Sequence, residues 1–501
     1  MLPLLTSAHI READAFTIAN EPIASVDLME RAAKAFVGWF INHFPVKDKG
    51  ITVYCGTGNN GGDGLAIARM LHEHHYKQIS VIIARFNDKA TADFNINLQR
   101  LRQTAVPINQ LNIGEDFPQE KSTILIDALL GSGLNKPPDG DYKRLVEYLN
   151  SLNKTVVAVD IPTGFFADGE IAKDSVTIKA DLVITFQQAK INFLLPEAAG
   201  FIDCWQAVNI CISENFTRGL NSPYQYVEEE DIRHMLKRRR QFSNKGTYGH
   251  SLIIAGEAKT MGAALLCAAG SAYAGAGLTT VCIPASGLTA LNSYLPELMA
   301  LTRDGDTLPQ INWDKYSSVA IGPGLGTGEG AFELLADLLS NYTKPVVIDA
   351  DGLNLLAHRH ELWQNLPEGS ILTPHMKEFD RLFGEHTSWW ARLQTATRQA
   401  AERNIYIVLK NDYTIIATPG GILYFNSTGN PAMATGGMGD VLTGILAALL
   451  AQGYTPEQAC LAGVYLHGRA GDELALPNRM NVVLPGRLAQ QLPLTMAKLL
   501  A

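Results

Sequence analysis

The sequence predicts an α/β protein of two domains, each with a largely parallel β-sheet covered by helices. The chain has 501 residues, more than one hydrophobic core usually spans. Short β-rich apolar segments alternate with helical segments in both halves, which is typical of parallel sheets. A polar segment interrupts this pattern near the middle of the chain. We therefore predict a first domain over residues 1–215, a linker over residues 216–227 and a second domain over residues 228–501.

The composition is that of an ordinary globular protein and favours a small-molecule partner over nucleic acid. Hydrophobic residues make up 47% of the chain and charged residues 18%, and the net charge is −9. Acids outnumber Lys and Arg by 50 to 41, which argues against a protein that binds the phosphate backbone of nucleic acids. The longest apolar segments fall short of the roughly 18 to 20 residues that span a membrane. We predict no nucleic-acid or membrane partner, and we expect a homo-oligomer.

The cysteines and the first residues of the chain favour a cytoplasmic location. The six Cys residues form no CxxC pair and no zinc-like spacing, so we expect free thiols in a reducing compartment. The segment MLPLLTSAHIREADAF lacks the basic start and cleavage pattern of an export signal.

Six apolar β-rich segments recur between residues 51 and 212: ITVYC, ISVIIA, STILIDAL, TVVAVDI, ADLVITF and AVNICI. Continuous apolar segments are typical of strands that are buried on both faces of a parallel sheet. The preceding segment SVDLMERAAKAFVGWFINHF has helical periodicity and should pack against that sheet. The first domain is therefore predicted to be a Rossmann-like α/β/α domain.

Polar residues follow three of these strands, at the sheet edge where parallel α/β proteins bind ligands. After ITVYC comes GTGNNGGDG, whose glycines expose backbone N–H groups ahead of a helix and so favour a phosphate. Asp127 and Asp160 follow two later strands. Two carboxylates at one edge suit proton transfer or cation binding.

Two other interpretations of this loop remain open. GTGNNG fits the GxGxxG pattern of dinucleotide-dependent dehydrogenases, but Arg85 ends the next strand where such enzymes place a ribose-binding acid. The loops could also be tight turns without a binding role. Asn59, Asn60 and Asp63 in one loop argue against that interpretation, since turns rarely need so many polar groups.

The segments LMERAA, GTGNNGGDGL, DALLGSGL and VDIPTG resemble the NAD(P)H-hydrate epimerases, also called the YjeF N-terminal domain, over about residues 1–215. The resemblance implies that Asp160 transfers protons while the hydroxyl at ring carbon six of hydrated NADH or NADPH inverts. It implies a K⁺ ion held by Asn60, Asp127 and Thr163, the last standing where relatives often have Ser. The implied substrate contacts are Asn59, Asn60, Gly61, Gly62, Asp63, Gly131, Ser132, Gly133, Leu134, Asn135, Lys136, Pro137 and Asp160.

The second half has its own α/β series: HSLIIAG, LTTVCI, SVAIGPG, PVVIDADG, SILTPH and IYIVLK, followed by an apparent hairpin, TIIATPGGILYF. The segment GAALLCAAGSAYAGAG predicts a helix whose small residues allow a close approach to the sheet.

The turn in NPAMATGGMGDVLTGIL joins glycines to a helix and suits phosphoryl transfer. Its backbone N–H groups can stabilise a phosphoryl group, while Asp440 takes the proton of an attacking hydroxyl. Asp440 could instead be only an N-cap, but a second Gly-rich turn, GPGLGTG, favours a site. A single histidine such as His375 is more often structural than a ligand-binding residue. Its place at the end of a predicted strand favours a binding role. Asp349 and Asp351 are interpreted as turn formers outside the catalytic set.

This half resembles the ribokinase-like superfamily and, within it, the ADP-dependent NAD(P)H-hydrate dehydratases. IGPGLG, DADGLN, LTPHMKEF, LKNDYT and GNPAMATGGMGD carry the resemblance, which covers about residues 228–501. It implies a ribokinase-like α/β/α domain that uses ADP and Mg²⁺. It implies substrate contacts at Ala263, Gly326, His375 and Asp440, and nucleotide contacts at Lys410, Asn411, Asp412, Tyr413, Thr414 and Gly439.

Together the two resemblances imply a bifunctional enzyme that epimerises NADHX and NADPHX and dehydrates the S epimer, turning ADP into AMP and phosphate. One alternative is a noncatalytic scaffold, because similar N-terminal domains also serve as dimerisation modules. The presence of Asn60, Asp127 and Asp160 disfavours it. Another alternative makes the second half an ATP-dependent kinase for a small alcohol, which LTPHMKEF and the fused first half disfavour.

Overall fold

The computed structural model describes residues 1–21, 23–87, 89–134, 136–171, 174–303 and 309–501. These residues form two units. The N-terminal unit comprises residues 3–222 and 388–390, and the C-terminal unit comprises residues 1–2, 223–387 and 391–501. Each unit contains one largely parallel sheet with helices, which confirms the predicted α/β class. A two-residue strand, β1 (Leu2–Pro3), opens the chain.

The sheet of the N-terminal unit has seven parallel strands in the part of the chain that the structure describes. Its strand order is β4-β3-β2-β5-β6-β7-β8, so the connections reverse direction between β2 and β5. Such a switch point opens a crevice at the carboxyl ends of the two strands. The strands are β2 (Ile51–Cys55), β3 (Ile79–Arg85), β4 (Ile108–Asn112), β5 (Ile124–Ala128), β6 (Thr155–Val159), β7 (Leu182–Phe186) and β8 (Trp205–Val208).

Helices cover both faces of this sheet. One core contains Phe36, Phe40 and Phe94. The other core includes the strand side chains that point to the opposite face of the sheet, and it contains Leu145 and Phe165. Burial of each such side chain stabilises the fold by about 1.5–3 kcal/mol. The helices are α1 (Ser7–Asn20), α2 (Ser25–His43), α3 (Asn59–Glu73), α4 (Ala92–Leu101), α5 (Gly140–Ser151) and α6 (Glu214–Gly219).

Helix α3 begins earlier than the sequence predicted. Most of the expected glycine loop is already helical from Asn59, with Gly58 as the N-cap. A Cβ at Gly61 would lie 1.9 Å from the carbonyl oxygen of Gly56, and one at Gly64 would lie 2.5 Å from the Cβ of Ala128. The glycines therefore allow the first turns of the helix to press against the sheet, a tertiary contact that local sequence does not reveal.

The C-terminal unit has a sheet of eleven strands in its described residues, in the order β1-β9-β18-β17-β16-β15-β14-β13-β10-β11-β12. It is parallel from β16 to β12, and β17 and β18 form the predicted antiparallel hairpin, which is confirmed. The strands are β9 (Tyr224–Val227), β10 (His250–Ile254), β11 (Leu278–Pro284), β12 (Met299–Arg303), β13 (Ser318–Ile321), β14 (Val346–Ile348), β15 (Ile371–Leu372), β16 (Tyr406–Leu409), β17 (Ile415–Ala417) and β18 (Leu423–Asn426).

The segment predicted as a linker contains a strand. Tyr224–Val227 pairs in parallel with β18, so its backbone hydrogen bonds come from a partner about 200 residues away in sequence. Its polar composition did not predict a strand because only Val227 is fully buried there.

Small residues in α8 bring it close to helix α14, and α8 also packs against strands β10 and β11 of the sheet, as predicted. A Cβ at Gly270 would lie 2.3 Å from the carbonyl oxygen of Val441, and one at Gly444 would lie 1.9 Å from that of Cys267. Helix α14 is therefore fixed directly against α8. The helices of this unit are α7 (Glu229–Met235), α8 (Met261–Tyr273), α9 (Leu288–Tyr294), α10 (Glu329–Asn341), α11 (Asp351–His358), α12 (Met376–Phe383), α13 (Trp389–Arg403), α14 (Met438–Ala451), α15 (Pro456–Ala475) and α16 (Pro485–Leu500).

Among all these described helices, none combines the length and the apolar character needed to cross a membrane.

Candidate active sites

A cavity of about 470 Å³ opens at the switch point of the N-terminal sheet, above the carboxyl ends of β2, β5, β6 and β7. Helix α3 points its N-terminus at this cavity. The first backbone N–H groups of a helix have no partner within it, and they carry partial positive charge. This end of the cavity is therefore suited to an anionic group such as a diphosphate.

Many of the predicted substrate contacts line this cavity, and several do not. Gly61 and Gly62 belong to the first turn of α3 and face the protein interior, where a Cβ would meet Gly56 and Met29. Lys136 is exposed and pairs with Asp139 at 3.2 Å, Pro137 is exposed, and Asn135 lies outside the described residues. The predicted residues that line the cavity are Asn59, Asn60, Asp63, Gly131, Ser132, Gly133, Leu134 and Asp160.

Asp160 is held in one orientation at the end of β6. Its Oδ1 accepts hydrogen bonds from the Thr185 hydroxyl at 3.1 Å and the Phe186 backbone N–H at 2.9 Å, and it pairs with Lys190 Nζ at 2.8 Å. All three contacts end on Oδ1, which leaves Oδ2 for a ligand. Asp160 also adopts a left-handed backbone conformation, with φ of 63°. Such strain, of about 1–3 kcal/mol, is typical of functional sites.

Sequence reasoning missed Lys190. Its side chain is only 2% exposed, and Asp160 supplies its counter-charge. The signal that could have identified it is a Lys that interrupts the apolar segment AKINFLL, because an unpaired lysine is rarely buried so fully.

A second polar cluster lies beneath the cavity floor. The carboxylate of Asp127 is buried and accepts hydrogen bonds from the backbone N–H and the hydroxyl of Thr163, both at 2.7 Å. Burial raises the pKa of Asp127 to about 6, although these hydrogen bonds oppose the shift. Asn60 lies against Gly131, and its buried side-chain Nδ2 has no hydrogen-bond partner among the described residues. The Asp127 carboxylate and the Thr163 hydroxyl are oxygen ligands of the kind that a monovalent cation takes, and Asn60 can add its amide oxygen.

The C-terminal unit has a cavity of about 570 Å³ near the carboxyl ends of its central strands. His375, which follows β15, and Lys410, which follows β16, both line it, and a backbone bridge joins the two residues. Tyr413, Ala263, Gly326 and Asp440 are predicted contacts that do not line it. Those that do are His375, Lys410, Asn411, Asp412, Thr414 and Gly439.

The Gly-rich turn leads into α14 and brings its N-terminus to this cavity. Gly437 is the N-cap with φ of 97°, a conformation that glycine adopts without strain. Asp440 is the third residue of the helix, so it is not the N-cap. Burial raises its pKa to about 7, with a further increase from the nearby carboxylate of Asp349 and a decrease from Lys410. A carboxyl with such a pKa is suited to accept a proton near neutrality.

Asp349 belongs to this site, contrary to its interpretation as a turn former. It is 1% exposed, pairs with Lys410 Nζ at 2.8 Å and accepts a hydrogen bond from the Thr443 hydroxyl at 2.7 Å. Gly439 lies against the same pair, since a Cβ there would be 3.2 Å from Lys410 Nζ. Asp349 thus orients Lys410 beside the helix N-terminus.

His375 combines the structural and the binding interpretation. It caps α12, because its Nδ1 accepts hydrogen bonds from the backbone N–H groups of Lys377 and Glu378 at 3.1 and 3.3 Å. Its side chain is nevertheless 51% exposed. Sequence reasoning also missed His467, which lines the cavity with a pKa lowered to about 4 by burial. Its neutral ring lies 3.1 Å from the Met438 carbonyl oxygen.

Ala263 lies against the loop after β13, which also carries Gly326. A Cβ at Gly324 would lie 3.0 Å from that of Ala263, so this loop packs against the start of α8. The Gly326 N–H donates to Asp351 Oδ2 at 2.8 Å. The negative charge of Asp351 also contributes to the raised pKa of Asp440, which places the loop close to the helix N-terminus.

Comparisons with known proteins cover both units. Residues 25–191 match the family model of the YjeF-related protein N-terminus, and residues 251–494 match that of NAD(P)H-hydrate dehydratase. The bifunctional NAD(P)H-hydrate repair enzyme Nnr of Moorella thermoacetica is 32% identical over 99% of this chain and 97% of its own length. The Nnr protein of Escherichia coli is 34% identical over 84% of this chain and 80% of its own length.

Solved structures resemble the C-terminal part. An ADP/ATP-dependent NAD(P)H-hydrate dehydratase from Bacillus subtilis, crystallised with ATP and Mg²⁺, is 33% identical over 55% of this chain and 98% of its own, with a TM-score of 0.48. A ribokinase-like superfamily protein from Enterococcus faecalis is 29% identical over 56% of this chain and 98% of its own, with a TM-score of 0.49.

Proposed function

The chain belongs to the family of bifunctional NAD(P)H-hydrate repair enzymes, and from that premise we propose how its two sites divide the repair. The protein is an enzyme with NAD(P)H-hydrate epimerase and dehydratase activities. The epimerase works in the cavity of the N-terminal unit and the dehydratase at the N-terminus of α14. Hydration of NADH or NADPH gives two epimers at ring carbon six, and the epimerase supplies the S epimer that the dehydratase consumes.

The observation that carries the epimerase assignment is the geometry of Asp160. Three donors fix its Oδ1, so Oδ2 meets the ring in one position. The N–H groups of α3 hold the diphosphate of the substrate. Because the ring belongs to the same molecule, this contact also positions the ring beside Asp160. Asp160 then exchanges a proton with the oxygen at carbon six as the configuration there inverts.

K⁺ fits the cluster beneath this cavity. Asn60, Asp127 and Thr163 would hold the ion through an amide oxygen, a carboxylate and a hydroxyl or carbonyl oxygen. When bound, K⁺ supplies a positive charge that keeps Asp127 ionised in its buried position. Asp127 in turn holds Thr163 and the loop that starts at Asp160 in place.

Exchange of K⁺ for choline is expected to lower the melting temperature of the N-terminal unit. A K⁺ concentration of about ten times the Kd stabilises a site by about 1.4 kcal/mol. The Asp127→Asn variant should show no K⁺-dependent shift in calorimetry, whereas Asp203→Asn, an exposed acid of the same unit, should retain it. Equal melting temperatures of the wild type in both salts would contradict the cation site.

The dehydratase overcomes a poor leaving group. Hydroxide departs slowly from carbon six. Phosphate leaves readily when the ring nitrogen pushes its electron pair towards that carbon. Asp440 accepts the proton of the carbon-six hydroxyl as that oxygen attacks the terminal phosphoryl group of ADP, which releases AMP. Lys410 and the N–H groups at the start of α14 stabilise the transferring phosphoryl group. The ring nitrogen then expels phosphate from carbon six, and loss of a proton from carbon five to water restores the dihydropyridine.

Mg²⁺ would reach this site on the phosphates of the nucleotide, where it neutralises their charge. The described residues contain no group of three or more His, Cys, Asp or Glu side chains placed to hold a metal.

The test uses mixed R and S epimers of NADHX with the full chain, Mg²⁺ and either ADP or ATP. We expect ADP to restore the dihydropyridine absorbance completely, with one AMP and one phosphate formed per NADH. Recovery of only half the absorbance would contradict the epimerase assignment. No recovery with either nucleotide would contradict the dehydratase assignment, and recovery with ATP alone would exclude ADP as the donor.

We also propose a homo-oligomer that works in the cytoplasm. Exposed apolar side chains cluster in the sequence before and within α16, which supports a protein contact there. They are Leu476, Met480, Val482, Leu484 and Leu494. Light scattering of the purified protein and cell fractionation test the two statements; a monomer or a membrane-bound pool would contradict them.

A further inference from the structure

A second carboxyl group, from a residue near the start of the sequence, lines the epimerase cavity. Asp14 lies on α1 and lines the cavity together with Asp160 and Lys190. Helix α1 is fixed in place, because Ser7 at its start donates to Asp168 Oδ1 through its backbone N–H at 3.0 Å and its hydroxyl at 2.5 Å. Ala13, beside Asp14, is buried. Asp14 is thus held at the cavity by the fold.

The charges around Asp14 keep a proton on it more readily than on an ordinary aspartate. Burial raises its pKa to about 6, the negative charge of Asp160 raises it further, and Lys190 opposes the shift. Asp63 on α3 also interacts electrostatically with Asp14, and its own pKa is raised well above the ordinary value. Arg11, on the same helix as Asp14, is the other charged residue that lines this cavity.

Inversion at carbon six requires two proton transfers. In one route the ring nitrogen pushes its electron pair towards carbon six, the C–O bond breaks, and the hydroxyl leaves as water after taking one proton. A water molecule then adds to the other face of the iminium and gives up one proton. The site must therefore hold one protonated acid and one ionised base at the start of each turnover.

We propose that Asp14 is the second acid–base residue of the epimerase, donating the proton to the departing hydroxyl while Asp160, paired with Lys190, accepts the proton of the incoming water. This inference rests on the proposed epimerase activity of the N-terminal unit. After one inversion the proton has moved from Asp14 to Asp160. Exchange with water returns a proton to Asp14 and removes one from Asp160, so protons and charge balance over the cycle.

The first experiment follows the interconversion of purified R and S epimers of NADHX by the full chain without nucleotide. Asp14→Asn is expected to lower kcat by about 10²-fold or more, which is the usual contribution of a general acid, with little change in KM. Glu12→Gln removes an exposed acid from the same helix and should leave the rate unchanged. Dehydration of the S epimer with ADP should be unchanged in both variants.

The pH profile separates a chemical role from a structural one. Because Asp14 must carry its proton, kcat/KM of the wild type should fall as the pH rises through about 6. Asp14→Asn should lose this dependence, and Asp14→Glu should restore part of the rate together with it. A wild-type rate in Asp14→Asn, or a slow variant that keeps the wild-type pH profile, would overturn the proposal.

A labelling experiment tests the departure of water. In water enriched in oxygen-18, each inverted NADHX should carry one oxygen from the solvent at carbon six, beyond the exchange seen without enzyme. Full retention of the original oxygen would overturn the proposed step. If the wild type does not interconvert the epimers at all, the epimerase assignment itself fails, which distinguishes that outcome from a failure of Asp14 alone.

Discussion

Asp160→Asn is expected to slow the interconversion of the R and S epimers by about 10²–10⁴-fold, the range for loss of a general acid or base. The asparagine keeps the size of the side chain and an acceptor for Thr185 and Phe186, but it cannot take a proton at neutral pH. With ADP present, the variant should convert the S epimer at the wild-type rate and leave the R epimer. Separation of the two epimers by liquid chromatography measures this result.

The loss of Asp160 also leaves the buried Lys190 without its counter-charge. Removal of one partner of a buried ion pair costs about 3–5 kcal/mol, so the N-terminal unit of Asp160→Asn should melt at a lower temperature. The double variant Asp160→Asn with Lys190→Met should recover much of that stability without recovering activity. Rapid consumption of both epimers by either variant would exclude Asp160 as the proton-transfer residue.

Asp440→Asn is expected to lower the dehydration of the S epimer by a similar 10²–10⁴-fold, because no other carboxyl stands at the same turn of α14 to take the hydroxyl proton. Epimerisation should continue at the wild-type rate. In the wild type, dehydration should become faster as the pH rises through about 7, since the burial of Asp440 raises its pKa to that value and only the ionised form accepts a proton.

Glu333→Gln, an exposed acid on α10, serves as the matched control for Asp440 and should leave both activities unchanged. Release of phosphate and recovery of absorbance are measured on the pure S epimer, so that epimerisation does not limit the rate. Dehydration by Asp440→Asn within a factor of three of the wild type would contradict its role as the base.

The strands and the hairpin were predictable because their signals are local. Continuous apolar segments identify strands of a parallel sheet, and the polar residues that follow them identify the binding edge. The same logic placed Asp160 and His375 at cavities, where they lie. Lys190, Asp14 and Asp349 were missed because their roles depend on partners distant in sequence. The early start of α3 was missed for a related reason, because the glycines in its first turns are needed for close contact with a neighbouring strand.

The buried pair of Asp160 and Lys190 has a consequence for the evolution of this fold. A descendant that lost catalysis and kept only a binding role could not replace Asp160 alone, because the buried Lys190 without its counter-charge would lower the stability of the domain. The two residues should therefore disappear together. A relative that retains Lys190 without an acid at position 160 is expected to be rare. A relative that lacks both residues is expected to have no epimerase activity.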